Sequence, residues 1–340
     1  LFNFKKNISK MNILINCELY EFVKYKRILG GIETLCLELS YFLKKRGYRV
    51  YFTSKSNKNL TKNKIKFISI NNKIIKKNNI NFNVVISAND AKIFNSFPKS
   101  KKILWLHNPL QIEKSLRKKQ LFSILKNKIT AVFVSKYLEN ITSKFYFFKK
   151  KKIISNFLSK DFSSIKKNNT NRKKIIVWSV QRDRGLTNTI DMWIRFVNPQ
   201  HPQAKFYIFG INNKKILKQN RFKKKNIFFF GKVSKKILKK TYINSTAMIC
   251  LGYDETFCLN ALEANSCGLP VITFGKTALK ELIKDNYNGK VVKNFDDMSF
   301  AVNKLLTNSQ KKLSSNSLNF SKKYNINKIG LKWLNLIEKQ

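Results

Sequence analysis

The sequence predicts an α/β protein of two domains, each built on a parallel sheet, with the ligand crevice at the carboxyl ends of the strands. Three observations carry that prediction. Runs rich in Val, Ile and Phe, such as VVIS (84–87) and AVFVS (131–135), are apolar throughout, as strands buried on both faces are. Stretches of helical periodicity separate these runs. The alternation then starts afresh after KDFSSIKKNNTNRKK (160–174), a polar stretch that reads as the interdomain linker.

The elements follow in order. A length of 340 residues favours two domains over one. LFNFKKNISK (1–10) is too short and too interrupted for a secretory signal, and it precedes a first strand that opens at Met11, so it reads as an upstream extension. In the first domain (11–163), strands are expected at NILIN (12–16), RVYFTS (49–54), KFISI (66–70), VVIS, ILWLH (103–107), AVFVS and KIIS (152–155). The stretch SKSNKNLTKNK between two of them reads as a lysine-decorated turn. IETLCLELSYFLKKRG (32–47) has apolar residues at i, i+3, i+4 and i+7 and ends on Gly47, a plausible helix stop. QIEKSLRKKQLFSILKN (111–127) and YLENITSKF (137–145) read as two more helices.

In the second domain (172–322), strands are expected at IIVWSV (175–180), KFYIFG (205–210), NIFFFG (226–231), MICLG (248–252) and PVITF (270–274). GLTNTIDMWIRFV (185–197) and TFCLNALEANSC (256–267) are the clearest helices. The final segment (323–340) carries a stripe through Ile326, Ile329, Leu331, Trp333, Leu334 and Leu336, and as a crossover helix it is placed to pack near the domain junction.

Composition narrows the partners. The net charge is +51, with 37 Lys/Arg against 8 Asp/Glu in residues 1–170 and 32 against 10 in residues 171–340, so both halves are basic. Two readings stay open: anionic partners, or a compositional drift that puts lysine everywhere. Arginine is scarce beside lysine, whereas groove reading recruits arginine, so no specific nucleic acid is expected. No run of 18 apolar residues occurs, and no spanning helix is expected. Five cysteines (17, 36, 250, 258 and 267) with no CxxC pair argue for a reducing compartment and against a metal knuckle.

Several residues fall at expected strand ends. Gly30 and Gly31 precede a helix whose free amides and positive dipole end suit an anion, although a plain tight loop explains them too. GxGxxG is absent, and no acidic residue closes the second strand, which sets a dinucleotide cofactor aside. His107 ends a strand and would face the crevice, or is simply structural. Arg182 and Arg184, in SVQRDRGL, follow a strand and precede a helix, as diphosphate-binding guanidiniums do; Asp183 between them also suits a helix cap. Glu255 and Glu263 stand out in a chain with only 18 acidic residues. In a continuous helix they would lie about 80° apart, but with Glu255 in the preceding loop both can face one crevice and accept sugar hydroxyls. A helix-dipole charge for Glu255 and a salt bridge for Glu263 are the plainer accounts.

Taken in order, these features resemble the retaining, nucleotide-sugar-dependent glycosyltransferases of the GT-B fold, family 4, with two Rossmann-like domains. The resemblance is carried by MNILI, GGIETLCLELSYFLKKRGYRV, LWLHNP, VSKYLEN, WSVQRDRGL and, most specifically, ETFCLNALEANSCGLPVITFGKTALKE, with seven residues between Glu255 and Glu263. It implies a donor-binding second domain acting on a UDP- or GDP-linked sugar, and a glycan or lipid-linked acceptor on the first. By resemblance, Glu263 holds the ribose, Glu255 the transferred sugar, and amides near Phe257, Cys258 and Leu259 approach the sugar and diphosphate. Arg184 stands for the diphosphate-binding lysine, with Arg182 a substitute for the arginine that usually precedes it. The Gly30–Gly31 loop closes over the phosphates, and His107 lies near the transferring sugar. The resemblance also implies retention of anomeric configuration and work on envelope polysaccharide or lipopolysaccharide.

DxD and His/Cys clusters are missing, so neither a metal nor a cofactor is expected. Basic, apolar-interleaved patches near 114–128 and 149–152 suit either an anionic lipid surface, at the inner face of the cytoplasmic membrane, or a solvated cytoplasmic surface. The competing functions are a nucleotide-sugar epimerase-like enzyme of the same fold, a basic nucleic-acid-binding α/β protein, and a non-catalytic interaction subunit.

Overall fold

The computed structural model describes residues 11–17, 30–54, 60–62, 65–69, 80–165, 171–180, 184–211 and 220–339. Contacts divide the chain into two units, one of Leu1–Ser159 with Ile326–Gln340 and one of Lys160–Asn325.

Apolar runs in the first unit form an eight-stranded sheet. Its strands are β1 (Asn12–Cys17), β2 (Arg49–Ser54), β3 (Leu60–Lys62), β4 (Ile65–Ser69), β5 (Val84–Ala88), β6 (Lys101–Leu106), β7 (Ile129–Phe133) and β8 (Lys150–Ile153), in the spatial order β3-β4-β2-β1-β5-β6-β7-β8. Every neighbouring pair is parallel except β3 with β4. Strand β3 lies inside the stretch read as a turn. It is three residues long and lies at the sheet edge, so it carries no apolar run. A buried polar row crosses the sheet, with Thr53 Oγ1 donating to Asn16 Oδ1 and Asn16 Nδ2 to Ser87 Oγ, both at 2.9 Å. The row fixes the register of β2, β1 and β5 near their carboxyl ends, because an unpaired buried amide there is costly.

Helix α1 (Gly31–Lys44) buries Leu35, Cys36, Leu39, Phe42 and Leu43. The C-terminal helix, Ile326–Glu338, belongs to this unit and packs on α1. Its buried face is Ile329, Gly330, Trp333 and Ile337, while Leu331 is exposed. The expected stripe was therefore rotated: Ile329, Trp333 and Ile337 recur every fourth residue, and Leu331 points the other way. Gly330 is required where it stands, since a Cβ there would lie 2.2 Å from Phe42 Cζ. Trp333 packs at 4.7 Å, centroid to centroid, on Trp105.

The second unit holds a six-stranded, wholly parallel sheet. It comprises β9 (Ile175–Trp178), β10 (Lys205–Phe209), β11 (Ile227–Gly231), β12 (Ala247–Ile249), β13 (Val271–Thr273) and β14 (Gly289–Val291), in the order β11-β10-β9-β12-β13-β14. The last strand, with Gly and Lys in three residues, escaped the sequence reading because so short an edge carries no apolar run. Both units are Rossmann-like. In each, the chain reverses its direction of strand addition at one point, between β1 and β5 and between β9 and β12. Such switch points open a crevice at the carboxyl ends of the strands.

Candidate functional site

The switch point of the second unit collects the acidic residues singled out above. Strand β9 ends at Trp178 and runs into Ser179 and Val180, while β12 ends at Ile249 and runs into the loop from Cys250 to Cys258. Arg184 and Gly185 then lead into helix α2 (Leu186–Met192). Gly185 has φ +91°, and a Cβ on it would lie 2.5 Å from Leu251 Cδ1 and 3.1 Å from Tyr253 Cε2. Only glycine allows both that conformation and that approach. The close packing sets the backbone of Arg184 against the 250–258 loop, where its guanidinium donates to Glu255 Oε1 in an ion pair. Burial pushes the Glu255 carboxyl above its ordinary value, and the Arg184 guanidinium opposes that rise.

The 250–258 loop is held from its far side as well. Thr277 Oγ1 donates to Gly252 O at 2.6 Å, and the amide of Ala278 donates to Glu255 O at 3.1 Å. Asp254 and Cys258 both adopt left-handed conformations, at φ +53° and +65°. Cys258 in that conformation immediately precedes helix α4 (Leu259–Ser266), which follows α3 (Lys235–Asn244) in the chain. Glu255 thus lies in the loop and Glu263 in the helix, the arrangement in which the two carboxylates are not bound to a common helical face.

Glu263 is buried, with Lys235 Nζ at 3.2 Å from its Oε1. Burial raises its carboxyl pKa and the Lys235 ammonium lowers it. Lys235 opens α3, and Ser234 caps that helix by accepting from the Ile237 amide at 3.4 Å. From the other end of α3, Tyr242 Oη lies 2.6 Å from Ser179 Oγ, and Asn260 of α4 donates through Nδ2 to Ser179 O. Ser179, Tyr242 and Asn260 therefore tie the end of β9 to the helices that carry Lys235 and Glu263. Arg172 stabilises the same helices: it donates to the carbonyls of Tyr242 and Ser245 at 2.9 Å and of Cys267 at 2.8 Å. Burial lowers its pKa to about 10.

The remaining second-unit residues divide. Phe257 is buried, with its ring 6.0 Å from that of Tyr324, so its side chain serves packing. Leu259 and Cys258 stand at the start of α4, where helix geometry leaves the first amides without intrahelical partners. Arg182 lies outside the described residues. Lys235, Tyr242 and Asn260 were not anticipated. Lys235 is one lysine among many, and only its place at the start of an amphipathic helix distinguishes it.

In the first unit, Gly30 is the N-cap of α1 in an extended conformation, with φ −73°. Its amide donates to Glu33 Oε2, and Thr34 Oγ1 donates to Gly30 O at 2.8 Å. A carboxylate of the chain itself thus occupies the positive end of the helix, next to the exposed Gly31. The Gly-x-x-Glu spacing in GGIE is the sequence signal for this closed cap. His107 follows β6 and is 5 % exposed, with its ring 4.7 Å from Trp105. Asn89, at φ +57°, accepts through Oδ1 from the amides of His107 at 2.7 Å and Asn108 at 3.1 Å. Burial pulls the imidazole pKa down to about 3, so His107 is neutral at physiological pH. It can exchange hydrogen bonds but does not supply a positive charge.

Comparison with known proteins adds three findings. The family described as Glycosyl transferases group 1 matches residues 159–320. No curated protein matches the chain. Solved structures match along nearly its whole length. A sucrose-phosphate synthase from Thermosynechococcus elongatus is 14% identical at a TM-score of 0.74, covering 96% of this chain and 98% of its own. A glycosyltransferase from Rickettsia africae is 17% identical at 0.72, covering 97% and 98%. Anabaena HepE, in complex with UDP and glucose, is 13% identical at 0.69, covering 96% and 99%. These likenesses give the chain the GT-B fold.

Proposed function

We propose that this protein is a glycosyltransferase that takes a sugar from a nucleoside diphosphate sugar and delivers it to a glycan or lipid-linked acceptor. The observation that carries the reading is the Arg184–Glu255 ion pair at the switch point of the second unit, with the buried Glu263 on the helix that follows. The family match over residues 159–320 falls on the same unit. Glu263 accepts from the ribose hydroxyls, and Glu255 accepts from hydroxyls of the transferred sugar. Buried carboxylates discriminate strongly here, because a donor lacking the hydroxyl leaves them unpaired.

Arg184 has a second partner in waiting. A departing diphosphate needs its growing charge neutralised, and a guanidinium does so bidentately. When the diphosphate arrives, Arg184 shares itself between phosphate oxygens and Glu255, and the carboxylate becomes available to sugar hydroxyls. The amides at the start of α4 complete the anion site, to which the family resemblance adds Arg182. His107, being neutral, takes by resemblance a role of hydrogen bonding to the transferred sugar, whereas the Glu33 carboxylate already fills the Gly30–Gly31 turn and leaves it no part in holding phosphate. Retention of configuration follows from the resemblance to family 4 and places no covalent step on either glutamate.

UDP is the first nucleotide to test, since HepE is a complex with UDP and glucose and the pneumococcal O-GlcNAc transferase GtfA is a complex with UDP and GlcNAc. Envelope or lipopolysaccharide glycan is the acceptor class that the WaaG likeness suggests, WaaG being a glycosyltransferase involved in lipopolysaccharide biosynthesis. Work on such an acceptor places the protein at the inner face of the cytoplasmic membrane, held peripherally. No helix among the described residues is long and apolar enough to cross a membrane.

The test is a thermal-shift screen against UDP, GDP and their sugars, repeated with Glu263→Ala. A rise with one nucleotide that vanishes in the variant supports the reading. Absence of a rise with every nucleotide overturns it, and epimerisation of the donor without acceptor transfers the assignment to an epimerase of the same fold.

A further inference from the structure

Exposed apolar side chains are unevenly spread over this molecule. Of the sixteen large ones among the described residues, eight lie between residues 112 and 153 of the first unit. The same 42 residues hold twelve Lys and Arg against two Glu. A solvated surface on a lysine-rich protein accounts for the charge but not for phenylalanines in water. Phe147 is 75% exposed and Phe122 67%. Concentrated exposure of that kind marks a surface that meets something apolar.

The exposed apolar side chains adjoin, along the chain, the lysines that line one concavity. On the helix Gln120–Lys126, Phe122 and Lys126 are four residues apart and Leu125 lies beside them, so an apolar and a cationic side chain emerge together. The rings of Phe145 and Phe147 lie 6.3 Å apart, centroid to centroid, and Phe148 then leads into the lysine run that enters β8. Lys126, Lys128, Lys149, Lys150 and Lys152, together with exposed Ile153, line a concavity of about 1710 Å³. Ten lysines border it against one carboxylate, Glu338, which accepts from Tyr48 Oη. The concavity opens at the amino ends of β5, β6 and β7 and along β8, away from the carboxyl ends where Asn89 and His107 lie.

We propose that this face docks the protein on an anionic lipid bilayer, with the lysine-lined concavity taking phosphate headgroups and Phe122, Leu125 and Phe147 entering the interfacial layer. Charge complementarity selects the occupant. Lysine is a compact, strongly hydrated charge suited to headgroups, and the border of the concavity contains no arginine for planar or stacked recognition of bases. A nucleic-acid backbone satisfies the lysines but leaves the phenylalanines in water; an anionic bilayer satisfies both. Like-charge crowding also favours an anion here. Burial, and then the charges of Lys150 and Lys149, lower the pKa of the Lys101 ammonium at the back of the site. The inference rests on the membrane-facing part of the proposed function and is independent of the transfer chemistry.

Sedimentation of the full chain with vesicles tests it. Vesicles of phosphatidylcholine with 30% phosphatidylglycerol, by number an experimental choice of about one anionic lipid in three, should bind the protein at least roughly tenfold more tightly than phosphatidylcholine alone. Two variants separate the contributions. Lys126→Glu/Lys128→Glu/Lys149→Glu/Lys150→Glu should weaken binding by about tenfold or more, against less than about twofold for Lys284→Glu/Lys293→Glu/Lys304→Glu/Lys312→Glu, the same charge change on the second unit. Phe122→Ser/Phe147→Ser should abolish the binding that survives in roughly 0.5 M salt, where charge attraction is screened.

Equal losses from the two charge-reversed proteins would reduce the effect to net charge and overturn the proposal. So would unchanged high-salt binding in the phenylalanine variant, or a single-stranded oligonucleotide that displaces the vesicles through the same lysines with the phenylalanines irrelevant. The nucleotide-induced thermal shift, read on the same proteins, reports folding and the donor site separately. Vesicle binding without that shift leaves this inference standing and the proposed function failed.

Discussion

Arg184 and Glu255 form an ion pair across 71 residues of sequence, because Gly185 lets the start of one helix press against the loop that carries the other partner. The pair is partly buried, and removing one member strands the other. Arg184→Ala should lower kcat/KM by a factor of about 10² to 10³, or roughly 2.7–4 kcal/mol, the usual consequence of losing a preorganised charge at a developing anion. Steady-state kinetics with the donor found by thermal shift measures it. Glu255→Ala and the double variant close a cycle, and the double loss should fall well short of the sum of the single losses, since the two side chains hold each other.

Lys235 and Glu263 make a prediction with a defined sign. Burial raises the Glu263 carboxyl above its ordinary value, with Lys235 pulling it back. If Glu263 holds the ribose as proposed, the hydroxyls bind its ionised form, and donor affinity should fall as pH drops through that raised value. Lys235→Ala removes the opposing charge and should move the inflection to higher pH, as calorimetric titrations between about pH 5 and 8 would reveal. Stability runs the other way. The folded carboxyl holds its proton more tightly than the unfolded one, so ionisation costs folding free energy as pH rises. Glu263→Gln at neutral pH should therefore melt no earlier than the parent protein while losing the donor-induced shift.

These two pairs also divide what could be read in the residues from what could not. The α/β class and the two parallel sheets were legible, because strands buried on both faces have no polar positions to hide them. Edge strands β3 and β14 were not, since a strand with one neighbour is free to carry lysine and glycine. The Glu255–Glu263 spacing was legible as a motif, but not its partners: lysine is so common here that Lys235 had no contrast, and Arg184 met Glu255 only through the glycine contact. The reading of Gly30–Gly31 as an open anion site missed Glu33, three residues on, although GGIE contains the capping pattern. His107 was read from its place at a strand end, and burial against Trp105 depends on long-range packing that LWLH does not disclose.

Gly185→Ala tests the device that brings Arg184 to Glu255. The substitution forces an alanine to φ +91° and sets its Cβ 2.5 Å from Leu251 Cδ1. The backbone cost alone is about 1–3 kcal/mol, and the loop has to shift to accept the methyl group. Activity should fall further than stability does, because the displaced loop carries Glu255. Adding Leu251→Ala removes the overlap but not the conformational strain, so it should restore part of the melting temperature and part of the activity. Full recovery, or none, would mean that the contact does not set the geometry.

His107 gives the last prediction, and it concerns stability toward acid. Its folded pKa is about 3 against an ordinary 6.5, with burial as the cause. The unfolded chain binds this proton more readily, so the contribution is fully present above pH 6.5 and is lost progressively as pH falls toward 3. Linkage over that window amounts to about 2 kcal/mol between pH 7.5 and 5.0. Denaturant unfolding at those two values reports the difference when followed through Trp105 and Trp333 of the first unit, with Trp178 and Trp193 of the second unit replaced by Phe in both proteins. His107→Gln keeps a polar side chain without the titration, and its midpoint should move less with pH than that of the parent. If the two proteins lose stability in parallel on acidification, the imidazole is already protonated or already solvated in the folded state, and its assignment as a neutral hydrogen-bonding group beside the sugar falls with it.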